Sequence, residues 1–76
     1  MAIIYILSEN GDIKKTAEYS IGPKAALIAF VRQMAGDYNT MSYPENIPGM
    51  RESTTAADHW YFDDTRHNQV IAAYPS

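Results

Sequence analysis

Five side chains with metal-ligand character lie close together near the end of this 76-residue sequence. They are Asp58, His59, Asp63, Asp64 and His67. A metal ion needs ligands that converge on one point, at about 2.0–2.2 Å for imidazole nitrogen and carboxylate oxygen. His59 begins a predicted strand and His67 lies in the turn after it, so the two imidazoles are expected to lie far apart. We therefore predict a polar hairpin end without a metal ion, and we expect no cofactor.

The sequence carries no signature of an enzyme. There is no cysteine nucleophile and no Gly-x-Ser-x-Gly motif, and each of the four glycines stands alone rather than in a phosphate-binding loop. The one pair of adjacent carboxylates, Asp63 and Asp64, should point to opposite sides of a strand, whereas paired catalytic carboxylates must face one substrate. We predict a protein that is not an enzyme.

The composition indicates one small folded domain covering residues 1–76. Hydrophobic residues make up 46% of the chain and charged residues 20%, which is more apolar and less charged than a disordered segment. The lack of cysteine excludes a disulfide framework and favours a cytoplasmic location. No apolar run approaches the roughly 18 residues of a membrane span, and the N-terminus turns polar after Leu7, too early for a signal peptide. We predict no membrane association.

The charge of the chain argues against nucleic acid as the main partner. Six Lys and Arg residues stand against nine Asp and Glu residues, for a net charge of −3. The basic footprint that binds phosphate backbones is missing. The second half of the chain is the more acidic half, and its carboxylates could meet a basic partner surface, but scattered acidic residues more commonly serve solvation.

The pattern of apolar and polar residues predicts the element order β-β-α-β-β. Asn10-Gly11 is the strongest short hairpin signal, Pro23 is suited to the first turn of a helix, and Gly36 is a typical helix stop. We predict an α+β fold with two layers, in which one helix covers a four-stranded antiparallel sheet. The predicted elements are a hairpin at 2–21, a helix at 23–35, a long loop at 37–57 and a second hairpin at 58–74.

The predicted helix is apolar over a wide arc. Leu27, Phe30, Val31 and Met34 form one stripe, and further apolar residues extend it on both sides. Because one sheet face would not cover this arc, we expect the apolar residues of the long loop to pack on the flank of the helix. The alternative is a loop that binds a partner.

The first strand is apolar on both of its faces. Ile4 and Ile6 lie on one face, and Ile3, Tyr5 and Leu7 lie on the other. A two-residue turn would place the even-numbered residues in the core, whereas a three-residue turn with a bulge would leave them outside. Either register leaves a second apolar row. Long neighbouring side chains, the long loop, a second copy of the chain or another protein could cover it.

Aromatic, methionine and arginine residues are the best candidates for a binding site, because these types are enriched at the centres of protein interfaces. Adjacent aromatic residues of a strand point to opposite faces, so either Trp60 or Tyr61 should lie on the outer face of the sheet. We predict a surface that binds a protein partner, or a second copy of the chain in a homodimer. A nucleic-acid-associated module that stacks bases on the sheet aromatics is the alternative. The predicted partner-binding residues are Ile3, Tyr5, Tyr38, Tyr43, Met50, Arg51, Trp60, Tyr61 and Tyr74.

In size and element order the chain resembles small proteins encoded by phages and other mobile elements. The resemblance rests on the AIIYIL strand, the Asn-Gly turn, the alanine-rich helix GPKAALIAFVRQMAG and the terminal hairpin. Some anti-CRISPR proteins are of this kind, and they act by occupying a surface of a host complex. The resemblance implies a non-enzymatic protein that binds or inhibits a host protein complex, and it carries over no individual functional residue.

Overall fold

Five antiparallel strands and one helix make up the part of the protein that the computed structural model describes, residues 1–35 and 49–76. Within these residues no helix is long and apolar enough to cross a membrane. The elements are β1 (Ala2–Ser8), β2 (Ile13–Tyr19), α1 (Pro23–Ala35), β3 (Met50–Glu52), β4 (Trp60–Asp64) and β5 (Gln69–Pro75). The strand order in the sheet is β2-β1-β5-β4-β3, and α1 packs against β1, β5 and β4. The fold is α+β, with the helix on one face of the sheet.

The sheet has five strands rather than the predicted four, because part of the predicted 37–57 loop is a strand. β3 is three residues long and pairs with β4, with Arg51 opposite Tyr61. A strand this short is below the length at which alternation of polar and apolar residues can be recognised in a sequence. The expected packing of the loop on the helix flank involves residues 37–48, which lie outside the described residues.

The central position of β5 explains why its sequence is apolar at consecutive positions. β5 pairs with β1 on one side and with β4 on the other. Ile71 and Ala73 face the helix and are fully buried, and Ala72 on the opposite face is fully buried as well. A strand that is covered on both faces needs apolar residues at odd and even positions alike.

The turn of the first hairpin has three residues. Ser8 N donates to Asp12 O at 2.9 Å, and Gly11 N donates to Ser8 O at 3.0 Å. Gly11 has a φ of +96°. It is therefore the residue with positive φ that completes a three-residue hairpin loop. Leu7 is consequently paired with Ile13.

A bulge in β2 then restores the pairing that the core requires. Ile4 is paired with Ala17 while the next residue of β1 is paired with Lys15, so Thr16 is an extra residue in β2. The shift brings Ala17 and Tyr19 to the helix side of the sheet, where they pack against the core. The hairpin therefore has a three-residue turn and still places Ile4 in the core. Each predicted register allowed only one of these two features.

The bulge also brings two charged residues of β2 together. Side chains three positions apart in a regular strand point to opposite faces, yet Lys15 Nζ lies 2.9 Å from Glu18 Oε2. The extra residue shifts the alternation by one position, so both charged side chains lie on the face away from the helix. Lysine and a bulge on an edge strand also discourage pairing with another chain.

The helix covers the sheet with the predicted apolar stripe, but unevenly. Leu27 is fully buried and Val31 nearly so, whereas Met34 is 38% exposed. Leu27, Ile4 and Ile71 are the largest fully buried side chains of the described residues. Because the core depends on so few large side chains, truncating one of them should remove a large part of the free energy of unfolding.

Replacing Gly11 with alanine should lower the free energy of unfolding by about 1 kcal/mol, because only glycine adopts its positive φ at no cost. No heavy atom lies within 4 Å of an added Cβ, so the loss comes from the backbone conformation alone. Gly22→Ala is the matched control: its Cβ would also meet open space, but Gly22 has no positive φ. Urea unfolding measures both variants. Equal losses in the two would contradict the assigned turn conformation.

Candidate functional site

The face of the sheet opposite α1 carries three tyrosines at its centre. Strand register places Ala72 of β5 between Tyr5 of β1 and Tyr61 of β4. Tyr74 lies one pair further along β5, opposite Ile3. We call this surface the tyrosine face. Its residues are Ile3, Tyr5, Leu7, Tyr61, Val70, Ala72 and Tyr74.

The ring of Tyr74 is in contact with three other aromatic rings. Its centroid lies 5.4 Å from that of Tyr5, 6.0 Å from that of Tyr61 and 4.4 Å from that of His59. The hydroxyl oxygens of Tyr61 and Tyr74 are 3.4 Å apart, and either can donate. Tilted and edge-to-face contacts at these distances are favourable. The rings therefore support one another's positions.

These rings cover much of the second apolar row predicted for β1. Ala72 has no exposed surface although it faces away from the helix, and the larger side chains of the tyrosine face are half-buried. The sheet thus shields its own outer face in part, as one of the predicted alternatives required. What stays accessible is the exposed part of these tyrosine, isoleucine, leucine and valine side chains.

Exposed ion pairs flank the tyrosine face on two opposite edges. On the β3 edge the Arg51 guanidinium lies 5.2 Å from the Tyr61 ring centre, and its Nη2 lies 3.3 Å from Asp63 Oδ1. On the β2 edge lie Lys15 and Glu18. An aromatic centre within a polar, solvated rim is the usual anatomy of a protein interface. Exposed pairs of this kind contribute little to folding.

The tyrosine cluster should make the fold sensitive to alkaline pH. The pKa of Tyr74 is raised to about 12, chiefly by burial, with smaller contributions in the same direction from the hydrogen bond with Tyr61 and from the nearby Tyr61 and Tyr5 hydroxyls. An unfolded tyrosine has a pKa of about 10, so the stabilising effect of the neutral phenol is complete below pH 10 and is lost as the pH rises through 12. We expect the free energy of unfolding to fall in this window and to fall less in Tyr74→Phe.

Thermal unfolding at a series of pH values, with tyrosinate absorbance as a second signal, measures this effect. Burial also raises the pKa of Tyr19 on the helix side, so Tyr74→Phe should reduce the alkaline loss without abolishing it. A loss that is the same in Tyr74→Phe as in the wild-type protein would show that the Tyr74 phenol is not the group responsible.

Five of the predicted partner-binding residues come together at the tyrosine face. Ile3, Tyr5, Tyr61 and Tyr74 belong to it, and Arg51 lies on its rim. Met50 and Trp60 lie on the opposite side of the sheet, packed against the core beneath the helix. Tyr38 and Tyr43 lie outside the described residues.

The alternation of β4 explains the position of Trp60. Trp60 and Phe62 face the helix, which sends Tyr61 to the outer face. The Lys24 ammonium lies 5.2 Å from the centre of the Trp60 ring. Trp60 Nε1 is buried and has no hydrogen-bond acceptor among the described residues. The Trp60 side chain is therefore a packing element of the core side.

The histidines and aspartates of the second hairpin do not converge on one point. His59 stacks on Tyr74, while Asp64 Oδ2 at the other end of β4 accepts hydrogen bonds from His67 Nδ1 at 2.8 Å and Gln69 Nε2 at 2.9 Å. Among residues 1–35 and 49–76, no three His, Cys, Asp or Glu side chains are placed to hold a metal ion. The buried Asp64 stabilises the connection between β4 and β5, because His67 lies in that connection and Gln69 is the first residue of β5.

Sequence reasoning placed Leu7 on the same face as Ile3 and Tyr5, but it missed Val70, Ala72 and His59 as members or neighbours of the tyrosine face. The signal was present for Val70 and Ala72. The run from Val70 to Tyr74 is apolar at every position, and such a run indicates a strand that is covered on both faces. The position of His59 depends on the register between β4 and β5, for which the sequence has no local signal.

Comparisons with models of protein families, with curated proteins and with solved structures found no match to this chain.

Proposed function

We propose that this protein is a non-enzymatic module that binds another protein through its tyrosine face. The observation that carries the proposal is the tyrosine cluster itself, a group of part-buried aromatic rings in mutual contact between two exposed ion pairs. Tyrosine offers large contact area with little conformational entropy to lose, and its hydroxyl can bond to a partner. The ring contacts hold these side chains in place before binding, which reduces the entropy cost of association.

The area of the face favours a heterologous partner over a stable homodimer. Strands spaced by about 4.8 Å and running about 3.3 Å per residue give a five-stranded face of roughly 400–500 Å². Obligate homodimers usually bury about 2,000–5,000 Å² in total, whereas transient contacts between different proteins bury less than about 1,200 Å² in total. The resemblance to small phage and mobile-element proteins supports a bacterial protein complex as the partner. A homodimer and a nucleic-acid partner are the alternatives that the experiment separates.

Affinity capture from a bacterial lysate tests the proposal. We would compare immobilised wild-type protein with Tyr61→Asp, which places a charge in the tyrosine face, and with Ala25→Asp, which adds the same charge on the exposed first turn of α1. A carboxylate is favourable at that end of a helix. We expect wild type and Ala25→Asp to retain the same protein, and Tyr61→Asp to lose it.

Two further measurements separate the alternatives. Native mass measurement of the purified protein detects a homodimer, and a nuclease-treated lysate detects capture that depends on nucleic acid. Retention of the same proteins by wild type and Tyr61→Asp would contradict the proposal. Retention that disappears after nuclease treatment, together with a steep dependence on salt, would favour the nucleic-acid alternative.

A further inference from the structure

A cleft of about 480 Å³ opens at one end of the tyrosine face, between the β1–β2 turn and the connection from β4 to β5. Leu7 and Val70, which belong to the tyrosine face, line it on the apolar side. Glu9, Asp63 and Asp64 line it with carboxylates. We call it the acidic cleft. It is continuous with the tyrosine face, so one partner could contact both.

The charge of the acidic cleft is not balanced from within. No Lys or Arg is among the described residues that line it. Asp64 is buried and holds His67 and Gln69, and Asp63 pairs with Arg51, which reaches it from the β3 edge. Glu9 has no ion-pair partner among the described residues and is exposed. The cleft therefore presents negative charge beside an apolar wall.

This combination matches the chemistry of an arginine side chain. The aliphatic stem of arginine packs on apolar groups while its charged end stays polar, and Leu7 and Val70 offer such a surface. The planar guanidinium donates to carboxylates, and Glu9 and Asp63 supply carboxylates at this end of the sheet. Arginine is also among the residues that contribute most at protein interfaces.

We propose that the partner bound by the tyrosine face presents an arginine that enters the acidic cleft and pairs with Glu9 and Asp63. This inference rests on the proposed function and specifies the partner: a protein segment with an arginine next to apolar or aromatic residues. The tyrosine face supplies the contact area, and the acidic cleft selects for a basic partner. Like charges in the acidic cleft would repel an acidic one.

An NMR titration with a model peptide tests the acidic cleft directly. The probe is an acetylated and amidated peptide with one arginine between two tryptophans, and its matched control has neutral citrulline in place of arginine. We expect amide shifts at Leu7, Ser8 and Val70 with the arginine peptide, and an affinity at least threefold lower for the citrulline peptide. Equal affinities, or shifts confined to other parts of the sheet, would overturn the inference.

A pair of charge variants gives a second test. Glu9→Gln should lower the affinity for the arginine peptide by up to about fivefold, the range of an exposed ion pair. Asp12→Asn removes the same charge from the same turn at a residue that does not line the acidic cleft, and it should leave the affinity unchanged. Equal effects of the two variants would contradict a specific site.

The captured partner separates this inference from the proposed function. If Glu9→Gln and Tyr61→Asp both weaken capture, both proposals are supported. If Tyr61→Asp abolishes capture while Glu9→Gln leaves it unchanged, the tyrosine face is the binding surface and the arginine inference is wrong. If neither variant affects capture, both proposals are wrong.

Discussion

Leu27→Ala should lower the free energy of unfolding by about 2–5 kcal/mol, the range for a fully buried leucine. A domain of this length has a total stability of about 4–11 kcal/mol, so the variant should be close to unfolding. Leu27 joins the helix to Ile4 and Ile71 in the core. Its truncation leaves a cavity at the contact between the two layers, which neighbouring side chains can fill only in part.

Met34→Ala is the control for this prediction, because Met34 lies on the same helix but is 38% exposed. We expect it to change the free energy of unfolding by less than about 1 kcal/mol. Urea or thermal unfolding, followed by circular dichroism, measures both variants. Similar losses in Leu27→Ala and Met34→Ala would mean that the helix does not depend on the stripe centred on Leu27.

Tyr61→Asp should lower the affinity for the captured partner at least tenfold, because truncation of a central interface tyrosine often costs about 2 kcal/mol or more and a buried carboxylate adds a desolvation cost. Tyr61 contacts Tyr74, and the Arg51 guanidinium lies 5.2 Å from the centre of the Tyr61 ring. The substitution therefore disturbs both the centre of the tyrosine face and its rim. Calorimetry or surface plasmon resonance with the purified partner measures the change.

Tyr61→Phe shows which part of the side chain matters. It keeps the ring and removes the hydroxyl that lies 3.4 Å from the Tyr74 hydroxyl. We expect a loss of no more than about threefold, because ring contact carries most of the binding energy and one neutral hydrogen bond contributes about 1 kcal/mol or less. The unfolding curves of both variants must closely match that of the wild-type protein. A fall in affinity can then be assigned to the binding surface rather than to unfolding of the variant.

The sequence predicts the helix, both hairpins and the α+β class because each has a local cause. Pro23 begins the helix, apolar residues repeat at its period, and Asn10-Gly11 marks the first turn. The bulge at Thr16 has no such local cause. The three-residue turn alone would place Ala17 on the outer face of the sheet. The core requires Ala17 beside Ile4 on the helix side, and the bulge provides this shift.

The tyrosine face could be predicted in part, because β1 is apolar on both faces and the sequence requires one of two adjacent aromatics to point outward. The choice of Tyr61 over Trp60 depends on which residue of β4 pairs with which residue of β5. The acidic cleft depends on the approach of Glu9 to Asp63, residues that are distant in the chain. Contacts of this kind are set by tertiary packing, so no pattern in the sequence indicates them.

Hydroxyl-radical footprinting of the protein with its captured partner tests most directly whether the tyrosine face is the binding surface. We predict that oxidation of Tyr5, Tyr61 and Tyr74 falls severalfold in the complex, while oxidation of the exposed Met34 on the helix side stays the same. Oxidation of the three tyrosines at the rate of the free protein, together with protection of Met34, would contradict the account and place the partner on the helix.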